Sequence, residues 1–337
     1  MNDLFLKALR CENRSRAPIW LMRQAGRYMP QYRAIRAKHP FLDMVHDPEL
    51  AAEVTMLPVK HLGVDAAILF SDILVIPEAL RVGLHFDDGI GPIIDRPLQT
   101  AADIDALPKP DIKEALQYVA QAIRLLRPQL KVPLIGFCGA PFTVASYMIE
   151  GKSSKDLRTT KQWMMKDPKS FHTLLEKISR LTIDYLEMQI EAGVQAVQIF
   201  DSWANVLSHG QFREFSLTYF KMILEGIKSK NVPAILFCRG SSVFASQLAE
   251  IQPSAISVDW NADLMQMRKV IPRNIALQGN LDPDVLYAPY DLIKRETKAL
   301  LKGMKGEPGY IFNLGHGLLP DIPYENVQAL VDIVRQQ

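Results

Sequence analysis

Pro18-Ile19-Trp20-Leu21-Met22-Arg23-Gln24-Ala25-Gly26-Arg27 starts as a short apolar run and stops at two arginines four residues apart. The run suits a strand buried on both faces, and Gly26 lets the backbone turn freely between the cations. Guanidinium groups stay charged at any working pH and present a planar fork to carboxylates. Two of them at a strand mouth make a receptor for an anionic ligand, or a surface pair forming rim salt bridges, which is arginine's common fate. The same pattern, an apolar run ending in polar residues or glycine, recurs at 66–70, 133–137, 196–200, 233–237, 255–258, 275–277 and 310–314.

Helical patterns separate most of these runs. Asp47-Pro48 reads as an N-cap with a first-turn proline, Gly63 closes that helix, and Pro58 is expected to kink it. Asp167-Pro168 opens another, in which Phe171, Leu174, Leu175, Ile178 and Leu181 recur at helical spacing before Gly193. Val327, Leu330, Val331 and Val334 mark a last amphipathic helix. Eight strands alternating with helices predict an α/β fold, a (β/α)8 barrel of the TIM type in a single catalytic domain over 1–337. An open doubly wound sheet, which usually has fewer strands, is the runner-up. Between the second and third strands, 81–98 alternates weakly around Asp87-Asp88-Gly89 and predicts an excursion hairpin. After the third strand, the polar, Ser-rich stretch 151–161 predicts an active-site loop at the barrel mouth.

The bulk composition narrows the function classes. With 48% hydrophobic and 23% charged residues the chain is ordinary for a globular protein, and a net charge of +2 gives no broad nucleic-acid footprint. Anion affinity must then be local. The polar N-terminus has no apolar signal core, no run approaches the ~20 apolar residues that span a bilayer, and three widely spaced cysteines without Cys-x-x-Cys read as free thiols. A cytoplasmic protein is expected.

In this fold, chemistry sits at the C-terminal strand ends. Read in order, those ends carry Arg23 and Arg27, Ser71-Asp72, Gly139 through Tyr147, Asp201-Ser202, Arg239, Asp259-Trp260, Asn280 through Asp282, and Asn313 through His316. Each has a bland alternative: Asp72, Asp201 and Ser202 as caps, Tyr147 as a core aromatic with a tethered hydroxyl, Asp259-Trp260 as a buried hydrogen bond. Gly315 and Gly317 around His316 allow close approach of backbone to a ligand. No Gly-x-Gly-x-x-Gly, phosphate-binding Gly-Lys-Ser/Thr loop, Gly-x-Ser-x-Gly elbow or His-x-x-x-His is present, which argues against nucleotide, serine-hydrolase and preformed zinc sites.

At these residues the chain resembles the uroporphyrinogen decarboxylase family. Residues 18–27 match its first signature, and Gly136-Phe137-Cys138-Gly139-Ala140-Pro141-Phe142-Thr143, with Tyr147 and Glu150-Gly151, match its second. Phe70-Ser71-Asp72-Ile73-Leu74, Phe200-Asp201-Ser202, Gln278 through Pro283 and Asn313 through Gly317 follow in family order. The resemblance implies a homodimeric barrel without cofactor or metal. Its activity is that of a carboxy-lyase of haem and tetrapyrrole biosynthesis, converting the four acetate side chains of uroporphyrinogen III to methyl groups to give coproporphyrinogen III and carbon dioxide. It implies Asp72 as the acceptor for the pyrrole N–H groups, Arg23 and Arg27 as carboxylate ligands with a share in catalysis, and Tyr147, Ser202 and His316 as further substrate ligands. Gln24, Ala25 and Gly26 would add backbone or side-chain contacts. Lys152, Asn205 and Arg239 depart from the family's usual glycine, glycine and lysine, which bears on loop shape and substrate tuning. The rival on the same scaffold is a zinc-dependent corrinoid methyltransferase; it would need a His-x-Cys where this chain has Leu236-Phe237-Cys238, and a later cysteine after the eighth strand.

Overall fold

The computed structural model describes residues 2–87 and 91–337. Seven strands form one parallel sheet: β1 Ala67–Ile68, β4 Leu134–Gly139, β5 Ala196–Asp201, β6 Ala234–Cys238, β7 Ala255–Ser257, β8 Ala276–Leu281 and β9 Tyr310–Leu314, hydrogen-bonded in that order. Residues 18–22 occupy the eighth place. The Phe312 N–H donates to Pro18 O at 2.9 Å on one side, and the Asp65 N–H donates to Ile19 O at 2.7 Å on the other, so the sheet closes on itself. The outcome is the (β/α)8 barrel expected from the sequence.

Buried chemistry on both strand faces explains why these runs are near-continuously apolar. Outward residues pack on the surrounding helices. Inside, Trp20, Ala66, Ile135, Ala196, Ala255 and Ala276 meet Phe5, Ala8 and Leu9 of the N-terminal helix Leu4–Leu9, which plugs the bottom of the barrel. Access to the interior is therefore from the C-terminal strand ends.

Several boundaries moved. The seventh run extends past Leu277 to Leu281, although Gln278 and Asn280 are polar. Both are satisfied: Gln278 accepts from Trp20 Nε1 at 2.9 Å and donates to Gln198 and Ser257, and Asn280 donates to the Asp259 and Ala262 carbonyls. The stretch 151–161 is a loop only as far as Leu157, where the helix Arg158–Lys166 takes over. Pro58 lies inside one continuous helix, Pro48–His61, whose Asp47 cap accepts from the Glu49 and Leu50 N–H groups. The excursion is a hairpin as anticipated, β2 Leu84–Asp87 antiparallel to β3 Gly91–Ile94; Asp88 and Gly89 of its expected turn lie outside the described residues. Lys152 bridges to Ile93, joining hairpin and loop into one wall over the mouth.

Candidate active site

At the C-terminal strand ends lies a cavity of about 730 Å³, and it gathers the residues singled out from the sequence: Arg23, Gln24, Ala25, Gly26, Arg27, Asp72, Tyr147, Ser202 and His316 all line it. The turn carrying the arginines is built tightly. Arg23 adopts φ +61°, an uncommon conformation for a residue other than glycine and one that clusters at functional sites. Tyr28 Oη donates to Gln24 O at 2.6 Å, and Arg33 donates to the Arg27 and Tyr28 carbonyls, both at 2.9 Å. Gln24 is buried, its side chain accepting from Leu21 N–H and donating to Ala66 O, both at 3.1 Å. That amide holds the turn to the barrel, and the Gln24 N–H donates to Leu21 O at 3.0 Å, so what Gln24 has left to offer a ligand is the second lone pair of its carbonyl.

Gly317 decides where Arg23 can lie. A Cβ there would stand 2.5 Å from Arg23 Cδ and 2.8 Å from Cγ. The flexible arginine would give way rather than the backbone, so Gly317→Ala is expected to leave unfolding temperature nearly unchanged. It should lower kcat/KM by roughly tenfold or more, because a misplacement near 1 Å costs about 10²-fold in well-oriented sites. Wild-type kinetics in this variant would mean that Arg23's position is not critical.

Asp72 stands on the loop after β1, and its Oδ1 accepts the Leu74 N–H at 2.8 Å. The capping role foreseen as the bland alternative is therefore real, but it engages one oxygen and leaves the other for the cavity. Burial raises its pKa to about 6; the Leu74 N–H bond and Arg23 lower it, while Glu78 pushes it further up. Arg23 is reachable from the mouth yet crowded by protein, and that burial lowers its pKa; Tyr147 and Asp72 oppose the shift and Arg27 adds to it. Burial, then Arg23 and Arg239, lower His316 to about 4, so its ring is neutral at neutral pH.

Other rim residues serve the scaffold. Asp201 is fully buried, accepting from Thr143 Oγ1 at 2.5 Å and Ser216 Oγ at 2.6 Å, and Thr143 Oγ1 in turn accepts the Trp203 N–H at 3.1 Å. This network sets the turn on which Ser202 sits. Ser216→Ala removes one of two hydroxyl donors from a buried carboxyl and is expected to cost about 1–3 kcal/mol in denaturant unfolding; no loss would mean that Asp201 finds another partner. Asp259 accepts the Gly240 N–H, Asp282 caps the following turn, and Asn313 accepts the Met22 N–H.

Sequence reading missed the aromatic wall. Phe137 and Phe200 pack edge-on at 5.8 Å, Phe200 and Phe237 also lie 5.8 Å apart, and Phe237 meets His316 at 5.9 Å. Their signal was present: four of the apolar runs end in phenylalanine, at 70, 137, 200 and 237. Arg36 also lines the cavity, from the helix Pro30–Arg36 rather than a strand end, where strand-by-strand reading does not look. Phe86 of the hairpin, its ring tilted against Phe41 with centroids 4.6 Å apart, completes the outer wall.

The donors expected of the rival methyltransferase do not assemble. Leu236 is buried on β6 and the Cys238 thiol is buried, with burial, Asp201 and Asp259 raising its pKa well above normal. Among the described residues no cluster of three or more His, Cys, Asp or Glu side chains is placed to hold a metal ion.

Comparisons with known proteins bear on the fold and the family. A methyltransferase from Methanosarcina mazei superposes with a TM-score of 0.83 over 99% of this chain and 98% of its own, at 23% identity, a likeness of fold alone. A uroporphyrinogen decarboxylase from Protochlamydia amoebophila is 60% identical over 100% of this chain and 92% of its own length. One from Chloroherpeton thalassium is 48% identical over 100% of this chain and 97% of its own. The family model described as uroporphyrinogen decarboxylase matches residues 1–337, and with relatives of that similarity over the full length, the chain belongs to the uroporphyrinogen decarboxylase family.

Proposed function

We propose that this chain is a carboxy-lyase that decarboxylates the four acetate side chains of uroporphyrinogen III to methyl groups, giving coproporphyrinogen III and four carbon dioxide molecules in tetrapyrrole biosynthesis. The observation that carries the reading is Asp72, an acidic side chain with one oxygen left for a cavity walled by phenylalanines and flanked by Arg23 and Arg27. A porphyrinogen offers converging pyrrole N–H donors at its centre and carboxylates at its edge. That pattern calls for an acceptor at the middle and cations at the rim.

Direct loss of carbon dioxide would leave an unstabilised carbanion. In the proposed course a proton adds to a pyrrole carbon, making a cationic ring. The acetate C–C bond then breaks, carbon dioxide leaves, and its electron pair flows into the ring. A proton added at the exposed methylene and one lost from the ring carbon restore the pyrrole, so each acetate consumes one proton net. Asp72 faces that positive charge in a water-poor site, and its interaction strengthens as the charge forms. Arg23 and Arg27 bind substrate carboxylates. Tyr147, Ser202 and neutral His316 hydrogen-bond and orient them, with backbone contacts from Gln24, Ala25 and Gly26. The electron sink is the substrate's own, so no cofactor or metal is assigned a step.

The reading treats 1–337 as one catalytic domain, supported by a barrel that closes between residues 18–22 and β9. A homodimer follows from the resemblance, and sedimentation at micromolar concentration checks it. A cytoplasmic location is proposed on the three free cysteines; no described helix is long and apolar enough to cross a membrane.

The deciding experiment incubates chelator-treated protein with uroporphyrinogen III under anaerobic conditions and counts product carboxylates after oxidation. Stepwise loss from eight to four supports the proposal. No loss from folded protein overturns it, and zinc analysis of the purified protein would then test the methyltransferase reading.

A further inference from the structure

We infer that Arg239 is a specificity-determining residue that binds a peripheral carboxylate of the macrocycle on the side of the mouth facing Arg23 and Arg27. The inference rests on the decarboxylase reading above. Around the closed sheet, residues 18–22 and β6 lie four strands apart in either direction, so their upper ends face each other across the barrel. Arg23, Arg27 and Arg36 all follow the first strand, whereas Ser202, which follows β5 beside β6, is neutral. Arg239 follows directly on β6 and supplies the far side's missing cation.

Its backbone is pinned on both sides. The Arg239 N–H donates to Asp201 O at 3.1 Å, next to the cavity residue Ser202, and the Gly240 N–H donates to Asp259 Oδ2 at 2.8 Å. The side chain, by contrast, is exposed and has no ion-pair or hydrogen-bond partner among the described residues. A fixed backbone under an unpaired guanidinium is a cation held in readiness. It is near enough to the site to depress His316, as Arg23 does from the opposite side. Carboxylates radiate from a porphyrinogen in every direction, and one seated against Phe200 and Phe237 without a counter-charge would be costly to desolvate. The planar fork of arginine suits that carboxylate better than a point charge does.

Such a contact holds ground state and transition state alike, so it acts on KM rather than kcat. Steady-state kinetics on uroporphyrinogen III with wild type, Arg239→Ala and Arg239→Lys test it. Arg239→Ala is expected to raise KM roughly 5- to 50-fold, with kcat within about twofold and a weaker dependence of KM on salt. Arg239→Lys should recover part of the loss, and unfolding temperatures should coincide because the side chain is exposed. If wild type is active and Arg239→Ala keeps its KM and salt dependence, or loses kcat at unchanged KM, the inference is overturned alone. An inactive wild type overturns the decarboxylase reading and this inference together.

Discussion

Asp72→Asn is expected to fold and to lose turnover by at least 10²–10³-fold, the scale of removing one preorganised charge-stabilising group elsewhere. The amide oxygen can still accept the Leu74 N–H, so the loop after β1 keeps its shape. A neutral amide, however, cannot balance the cationic ring. The same substitution should stabilise the protein. Because burial raises the Asp72 pKa from 3.8 to about 6, the folded state binds this proton more tightly than the unfolded chain does. The resulting stability penalty is absent below pH 3.8, grows between there and about 6, and is full above it, where it amounts to about 3 kcal/mol. Asp72→Asn should therefore raise the unfolding temperature at pH 7.5 and leave it unchanged near pH 3.5. In wild type, kcat/KM should fall as pH drops through about 6, since the carboxylate is the working form. Near-normal turnover by Asp72→Asn would remove the electrostatic role assigned to this residue.

Arg23→Ala should lower kcat/KM by about 10- to 10⁴-fold, corresponding to one or two charge-assisted hydrogen bonds at roughly 1.5–3 kcal/mol each. A second readout is independent of substrate. Arg23 is the largest electrostatic contributor, after burial, to the lowered pKa of His316, so an NMR titration of the variant should find that pKa above its present value of about 4. Arg23→Lys should keep His316 depressed while still losing much of the activity, because the charge remains but the fork does not. If Arg23→Ala and Arg27→Ala both retained wild-type kinetics, the arginine turn would lie outside the substrate's reach.

Much of the scaffold was legible in one dimension because a parallel barrel strand, buried on both faces, must be apolar along its length. The eight runs, the Asp47-Pro48 and Asp167-Pro168 helix starts and the excursion hairpin all follow from such local rules. Strand ends were less legible where the barrel interior admits polar side chains. Gln278 looks like a terminator, yet Trp20, Gln198 and Ser257, 258, 80 and 21 residues away in the chain, meet its hydrogen-bonding needs.

The site divides in the same way. Strand-end position alone nominated Asp72, Tyr147, Ser202, His316 and the arginine turn, because the fold delivers all such ends to one rim. It nominated Asp201, Asp259, Asn280 and Asn313 equally, and nothing local separates a carboxyl that faces a cavity from one that takes two hydroxyls behind it.

The chain's own pattern thus determined the barrel, its chemical face and the types of group gathered there, because burial periodicity and strand-end chemistry are local properties of a polymer. Tertiary structure alone decided that Gln24 braces the turn, that Gly317 makes room for Arg23 and that a phenylalanine wall backs the carboxyl. Each of those depends on residues distant in sequence and adjacent only once the barrel has closed. Desolvation and Coulomb interaction, which set the Asp72 and His316 titrations, have no meaning before then.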